Sequence, residues 1–201
     1  MDFSELKVDA KKKLEGRWPE TIRLILIFSL IAGFASGVGM MGGEDNYTFI
    51  SSLLTLAITC VFGFGYYNYF LKVSRGEKAE WRELFSKTNL TVDFLVITIV
   101  TSILVSLWTL LFIIPGIIAG IKYSQVYLIK LDNPDMSALD TLKESAKIME
   151  GHKMDYFLLN LSFIGWSLLG LLTCCILYFW LMPYISVTMC NFYNKIKKEK
   201  K

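Results

Sequence analysis

The residues able to do chemistry are few and scattered. The chain holds one histidine, His152, in a Gly151-His152-Lys153 link, and four cysteines, Cys60, Cys174, Cys175 and Cys190. A zinc site needs Cys or His ligands in spaced pairs, which this set does not provide. We read the cysteines as small apolar residues and His152 as a structural or solvated side chain. No phosphate-binding glycine loop and no nucleophile elbow is present. No catalytic residue, metal ligand or cofactor is therefore expected, and the chain does not read as an enzyme.

One cation stands apart. Lys122 lies in "FIIPGIIAGIKYSQ", residues 112–125, inside an otherwise uncharged run, and Gln125 follows three residues later. On a continuous helix that spacing places both on one face, where an ammonium and an amide can hold the anionic group of a lipid or solute. The competing reading is that the lysine stem snorkels to the outer headgroups. A lysine at the bilayer centre costs about 2.5–3.5 kcal/mol on insertion scales, and no Asp or Glu in the apolar stretches offers to pair with it.

What positions these residues follows from where charge is missing. The chain has 201 residues, 54% hydrophobic and 19% charged, with a mean hydropathy of +0.46. Four stretches, 24–43, 46–71, 94–129 and 156–194, carry no Asp, Glu, Lys, Arg or His apart from Lys122. About 20 apolar residues cross the hydrocarbon layer as a helix. The first two stretches, of 20 and 26 residues, fit one crossing each, whereas the others, of 36 and 39 residues, fit two crossings joined by a tight turn. The expected fold is all-α, a polytopic membrane bundle of six transmembrane helices arranged as three hairpins. The spans are read as 19–43, 46–71, 93–114, 116–131, 155–172 and 176–194, within a single integral membrane domain covering 1–201. The first apolar run begins behind a mixed-charge segment, which does not follow the plan of a cleaved signal peptide.

Charge sets the orientation. Of the 21 Lys and Arg, six lie in 1–23, five in 72–93, four in 130–155 and five in 194–201. The connections near 44–46, 114–116 and 173–176 hold none. Basic residues are retained on the cytoplasmic side, so both termini are expected inside, in the cell membrane. A single kinked helix through Pro115 would put 130–155 outside and free a backbone carbonyl in lipid. Pro115-Gly116 is therefore read as a turn on the outer face. Pro183, in the last span, is expected to kink that helix.

The inner side carries amphipathic segments. In 1–18, Phe3, Leu6, Ala10 and Leu14 share one face, with Trp18 at the membrane boundary and Pro19 opening the first span. Residues 79–87 repeat the idea with Trp81, Leu84 and Phe85. In 136–150, Ser137 and Asp140 make a capping box, Leu139, Leu142, Ala146 and Met149 a stripe, and Gly151 a stop. Such helices suit the headgroup layer or serve as connectors packed beneath the bundle. Gly33 with Gly37, Gly39 with Gly43, and Gly116 with Gly120 are four-residue small pairs that let helices pack closely within the molecule.

Several of these segments are familiar. "IIPGII", "DNPDMSALDTLKESAKIMEGHK", "FLLNLSFIGWSLLGLLT", "WLMPYI" and "NFY", with "LEGRWPETI" and "LFSK" earlier, resemble the bacterial integral membrane family called domain of unknown function 975. That family occurs mostly in Gram-positive bacteria and is distantly similar to the membrane domain attached to some glycerophosphodiester phosphodiesterases. The resemblance implies a bacterial cytoplasmic membrane protein and carries over no catalytic residue. Cys174-Cys175 stand where members often have Gly.

Three functions remain open: a non-enzymatic accessory or scaffold, a small transporter or permease subunit, and a membrane enzyme or its anchor. The first is the leading expectation, binding a membrane or cytoplasmic protein partner, or lipid headgroups, through the inner surface. The alternative moves an anionic or amphipathic solute and needs polar groups converging on a midplane site; Lys122, Gln125, Asn160, Ser162 and Ser167 are the candidates. Membrane lipids are expected partners and nucleic acid is not, because 18 acids are interleaved with the bases. The oligomeric state is left open.

Overall fold

The computed structural model describes residues 2–41, 45–173 and 176–200. The expected outer turns near 44–46 and at Cys174-Cys175, and Gly43, lie in whole or in part outside the described residues. All regular structure among those described is helical: α1 (Phe3–Leu14), α2 (Trp18–Met41), α3 (Asp45–Ser74), α4 (Thr91–Leu111), α5 (Ile113–Lys122), α6 (Val126–Asp132), α7 (Ala138–Ile148), α8 (Lys153–Leu161), α9 (Ile164–Leu172) and α10 (Tyr178–Glu199). Short 3-10 turns at Trp81–Phe85 and Thr88–Leu90 precede α4.

The longest helix, α3, has 30 residues, about 45 Å at about 1.5 Å per residue, and α1, α2, α4, α6 and α10 pack against it. A buried hydrogen bond of 2.9 Å joins Thr21 of α2 to Tyr69 of α3. The Phe94 ring of α4 stacks on Tyr127 of α6, with centroids 4.7 Å apart. Lys130 of α6, 3% exposed, pairs with Asp93 of α4 at 3.1 Å and donates to the Met136 carbonyl at 2.7 Å. The Asp93 carboxylate and the Met136 carbonyl offset part of the cost of burying this charge.

The core is concentrated toward one end of the bundle. One cluster joins Leu6, Leu14, Leu24, Tyr69, Ile129, Met149, Phe192 and Tyr193; another joins Phe64, Leu90, Phe94, Ile97, Val126 and Leu142. Elsewhere apolar side chains face outward, including Leu107, Leu110 to Ile114, Leu168, Leu171 and Leu172. Among the described residues, two segments, 81–111 and 153–172, are long and apolar enough to cross a membrane, and only 11% and 17% of their apolar windows are buried. The core helix of a soluble domain is mostly buried, and these two are not.

The chain departs from the sequence reading at several places. Reversal after α4 falls at Phe112, whose backbone is extended (φ −157°, ψ 145°), while Pro115 and Gly116 sit in the first turn of α5. Proline is tolerated there because its missing N–H has no intrahelical partner to lose. After this reversal α5 lies against α4: a Cβ on Gly116 would be 2.1 Å from the Thr109 hydroxyl on α4. The expected span 116–131 is not one helix, since α5 and α6 part at Tyr123-Ser124-Gln125. The span 155–172 parts likewise at Ser162-Phe163, between α8 and α9. At both breaks a serine hydroxyl donates to the carbonyl three residues back, Ser124 to Ile121 at 2.8 Å and Ser162 to Leu159 at 2.5 Å. Such local bonds compete with the helical ladder.

Pro183 lies inside α10, which runs on through it. In α7 the buried face is Thr141, Leu142, Ser145 and Ile148, and Leu139 is exposed. The face is rotated from the apolar stripe because the two hydroxyls are satisfied, by the Ser137 carbonyl at 2.8 Å and the Lys122 carbonyl at 2.9 Å. Ser137 does cap the helix, accepting from the Asp140 N–H at 3.2 Å.

Candidate functional site: a basic groove at the charged end

Four segments rich in charge meet at the end of the bundle where the core lies. Arg17 donates to the carbonyls of Gly76 and Glu77, joining the N-terminal segment to the exit of α3. Lys195 of α10 pairs with Glu5 of α1 at 2.8 Å. His152 lies between Asp155 at 3.7 Å and Glu199 at 3.6 Å, and Lys200 donates to the Lys147 carbonyl.

The firmest junction is built on Asp132, the last residue of α6, whose side chain is 8% exposed. Its Oδ2 accepts from Arg75 at 2.7 Å and from the Tyr193 hydroxyl at 3.0 Å, and it pairs with Lys197. Burial alone pushes this carboxyl up, but the hydrogen bonds and charges of Arg75 and Lys197 outweigh it and hold Asp132 below the usual carboxylate range. Arg75 also donates to Asn194 Oδ1 at 3.3 Å, and Asn194 donates to Ser74 Oγ at 2.9 Å. The ends of α3, α6 and α10 are thereby tied in one network.

Beside that network opens a groove of about 850 Å³ between α1, the end of α3 and the last turns of α10. Local chemistry explains its walls. Asp2 caps α1 by accepting from the Ser4 and Glu5 N–H groups at 2.9 and 3.3 Å. Leu6, Ala10 and Leu14 then bury against the bundle, which leaves Glu5, Asp9, Lys12 and Lys13 along the groove. Gly76, at φ +77°, turns the chain sharply after Arg75, a conformation glycine takes without cost. From α10 come Asn191, Asn194, Lys195, Lys197 and Lys198. Lys13 pairs with Asp9 and donates to Asn191 Oδ1 at 3.1 Å, while Asn191 donates to the Leu6 carbonyl at 3.3 Å. The Glu5 carboxylate, hydrogen-bonded to Lys195, raises that ammonium above its ordinary range.

The residues singled out from sequence lie elsewhere. Lys122 ends α5, half-buried, with Nζ 5.3 Å from the Tyr123 ring centroid. Gln125 is buried on the far side of the helix break; its amide donates to Ser124 Oγ at 2.8 Å and its Oε1 has no partner among the described residues. The shared helical face that would bring Lys122 and Gln125 together is thus interrupted. A Cβ on Gly33, Gly37 or Gly120 would meet open space, so of these three and Gly116 only Gly116 marks a close helix approach. Close approaches also occur at Gly63 against Phe94, at Gly65 against the Leu84 backbone and at Gly170 against Tyr178. The groove residues are not among those that the sequence singles out. Their available signal was Asn191, Asn194 and Lys198 at steps of three and four, which places them on one helix face.

The family described as "Protein of unknown function (DUF975)" matches residues 1–119 and 109–200. No curated protein and no solved structure matches the chain. On this family match over nearly its whole length, the chain belongs to the DUF975 family of proteins of unknown function.

Proposed function

We propose that the chain is a multi-pass protein of the cytoplasmic membrane with both termini inside, a non-enzymatic accessory or scaffold that binds lipid headgroups or a partner protein through its inner face. The observation that carries this reading is the segregation of charge. All four basic segments are tied together at one end by Arg17, Arg75, Asp132, Lys195 and Lys200, while the apolar side chains of α4, α5, α8 and α9 face outward. Cytoplasmic retention of Lys and Arg then orients the charged end. Six crossings as three hairpins remain the topology of this reading, with the fourth and fifth built from the broken pairs α5–α6 and α8–α9. A distant likeness to the membrane domain attached to some glycerophosphodiester phosphodiesterases belongs to the same proposal.

The alternative, a small transporter or permease subunit, has one observation in its favour. Broken helices with buried polar groups build solute sites in transporters, and Gln125 Oε1 lies buried and unpartnered at the α5–α6 break.

Alkaline carbonate extraction tests the membrane assignment. The full chain is expected to stay in the pelleted membranes and to leave only with detergent. Release by carbonate would mean that its apolar surface is covered by protein rather than lipid, and would end this reading.

A further inference from the structure

We propose that the groove between α1 and α10 binds a phosphate-bearing anion, either a lipid headgroup or a soluble phosphorylated molecule; this deepens the inner-face reading above and rests on it for the site's location. Six bases line the groove, Lys12, Lys13, Arg75, Lys195, Lys197 and Lys198, against two acids, Glu5 and Asp9. Asp9 pairs with Lys13, Glu5 with Lys195, and Asp132 with both Arg75 and Lys197. The bases lining the groove thus outnumber the carboxylates lining it. Lys12, on the α1 wall, and Lys198, on the α10 wall, have no ion-pair partner among the described residues and are exposed.

The rest of the groove favours an anion over a cation. The side-chain oxygens of Asn191 and Asn194 already accept from Lys13 and Arg75, and both lining carboxylates are engaged, so no free oxygen set is left for a metal. Those same contacts hold Lys13 and Arg75 in place before a ligand arrives, which lowers the cost of ordering the groove walls. Lysine meets a phosphate as a compact point charge, and Lys12 and Lys198 face the groove from its two walls. A volume of about 850 Å³ exceeds a bare phosphate and falls within the range of small-molecule sites, leaving room for a group such as glycerol attached to it. Trp18 opens α2 four residues beyond the end of α1, and a tryptophan at a membrane boundary would set the groove at headgroup depth.

The test uses the full chain purified in an uncharged detergent. Binding is measured by calorimetry for dihexanoyl phosphatidylglycerol, glycerol 1-phosphate and dihexanoyl phosphatidylcholine, with the lipids below their micellar concentrations. At least one of the two anionic probes is expected to bind, weakening as salt is raised, while phosphatidylcholine does not. Lys12→Ala/Lys198→Ala is expected to lower the affinity tenfold or more. Lys143→Ala/Lys147→Ala, on the exposed face of α7 away from the groove, is expected to leave it unchanged. Binding of phosphatidylglycerol alone identifies a bilayer headgroup; binding of both anionic probes identifies the phosphate as sufficient. Should the double variant prove poorly folded, Lys12→Gln and Lys198→Gln singly are each expected to weaken binding. Failure of both anionic probes, or equal loss in the two lysine pairs, overturns the site. Binding that persists while labelling places Lys198 outside the cell would overturn the inner-face topology and leave the site standing.

Discussion

Gly65→Ala is expected to leave little folded protein in mild detergent. A Cβ at this position would lie 2.1 Å from the Leu84 carbonyl oxygen, 2.5 Å from its carbon and 2.6 Å from its Cα. These are backbone atoms, so no rotamer change relieves the overlap. Nor can the 3-10 turn at 81–85 move away freely. Glu83 is held by Lys72 at 2.6 Å and by Asn68 at 2.9 Å, and Leu84 is buried. Overpacking in a well-filled site costs about 1–3 kcal/mol, and a clash with fixed backbone belongs at or above the top of that range. Gly33→Ala is the control: nothing lies within 4 Å of the added carbon, and alanine is better than glycine inside a helix by about 1 kcal/mol in water. Thermal midpoints from size-exclusion chromatography should fall sharply for Gly65→Ala and hold or rise for Gly33→Ala. A fall for Gly33→Ala together with loss of a dimer peak would show that the Gly33–Gly37 face packs between copies of the chain.

Asp132→Ala should be the next most damaging change. It leaves Arg75 and Lys197 facing each other without a counter-charge and removes the acceptor of the Tyr193 hydroxyl. Breaking a buried ion pair costs about 3–5 kcal/mol. Arg75 and Lys197 are each about one-third exposed, so water recovers part of this, and about 2–3 kcal/mol is the expected loss. The Asp132 carboxyl is held below its ordinary range. Its contribution is therefore complete above about pH 4, where an unfolded aspartate is ionised, and is lost as the pH falls through that value toward the lowered one. Parent and variant should differ most at neutral pH and converge in acid. A constant difference down to pH 3 would show that the side chain acts through packing alone.

The all-helical make-up can be read from the chain because helix geometry constrains the spacing of apolar residues. The long apolar runs, the N-terminal face of Leu6, Ala10 and Leu14, and the Ser137 cap all follow from spacing. The α4–α5 hairpin does too, although its turn falls at Phe112, because an N-terminal Pro is compatible with a helix start. Two things resist such reading. Ser124 and Ser162 look like ordinary polar residues in apolar runs, yet each diverts a carbonyl and parts a helix that hydropathy treats as one. Thr141 and Ser145 look like a polar face and are buried, because their hydroxyls find carbonyl acceptors supplied by folding. The groove was hidden for a related reason: Arg75, Asp132 and Lys197 are far apart in sequence, and their charges look solvated until the helix ends meet.

Sidedness of the charged end is the central claim, and thiol labelling in intact protoplasts tests it most directly. In a background with the native cysteines replaced, Lys78→Cys, Asp140→Cys and Lys198→Cys sample three of the basic segments, and Phe112→Cys samples the opposite end of α4. With an impermeant maleimide, Phe112→Cys should react in intact cells, and the other three only after permeabilisation. Reaction of Asp140→Cys or Lys198→Cys in intact cells, while Lys78→Cys stays protected, would contradict a common cytoplasmic face.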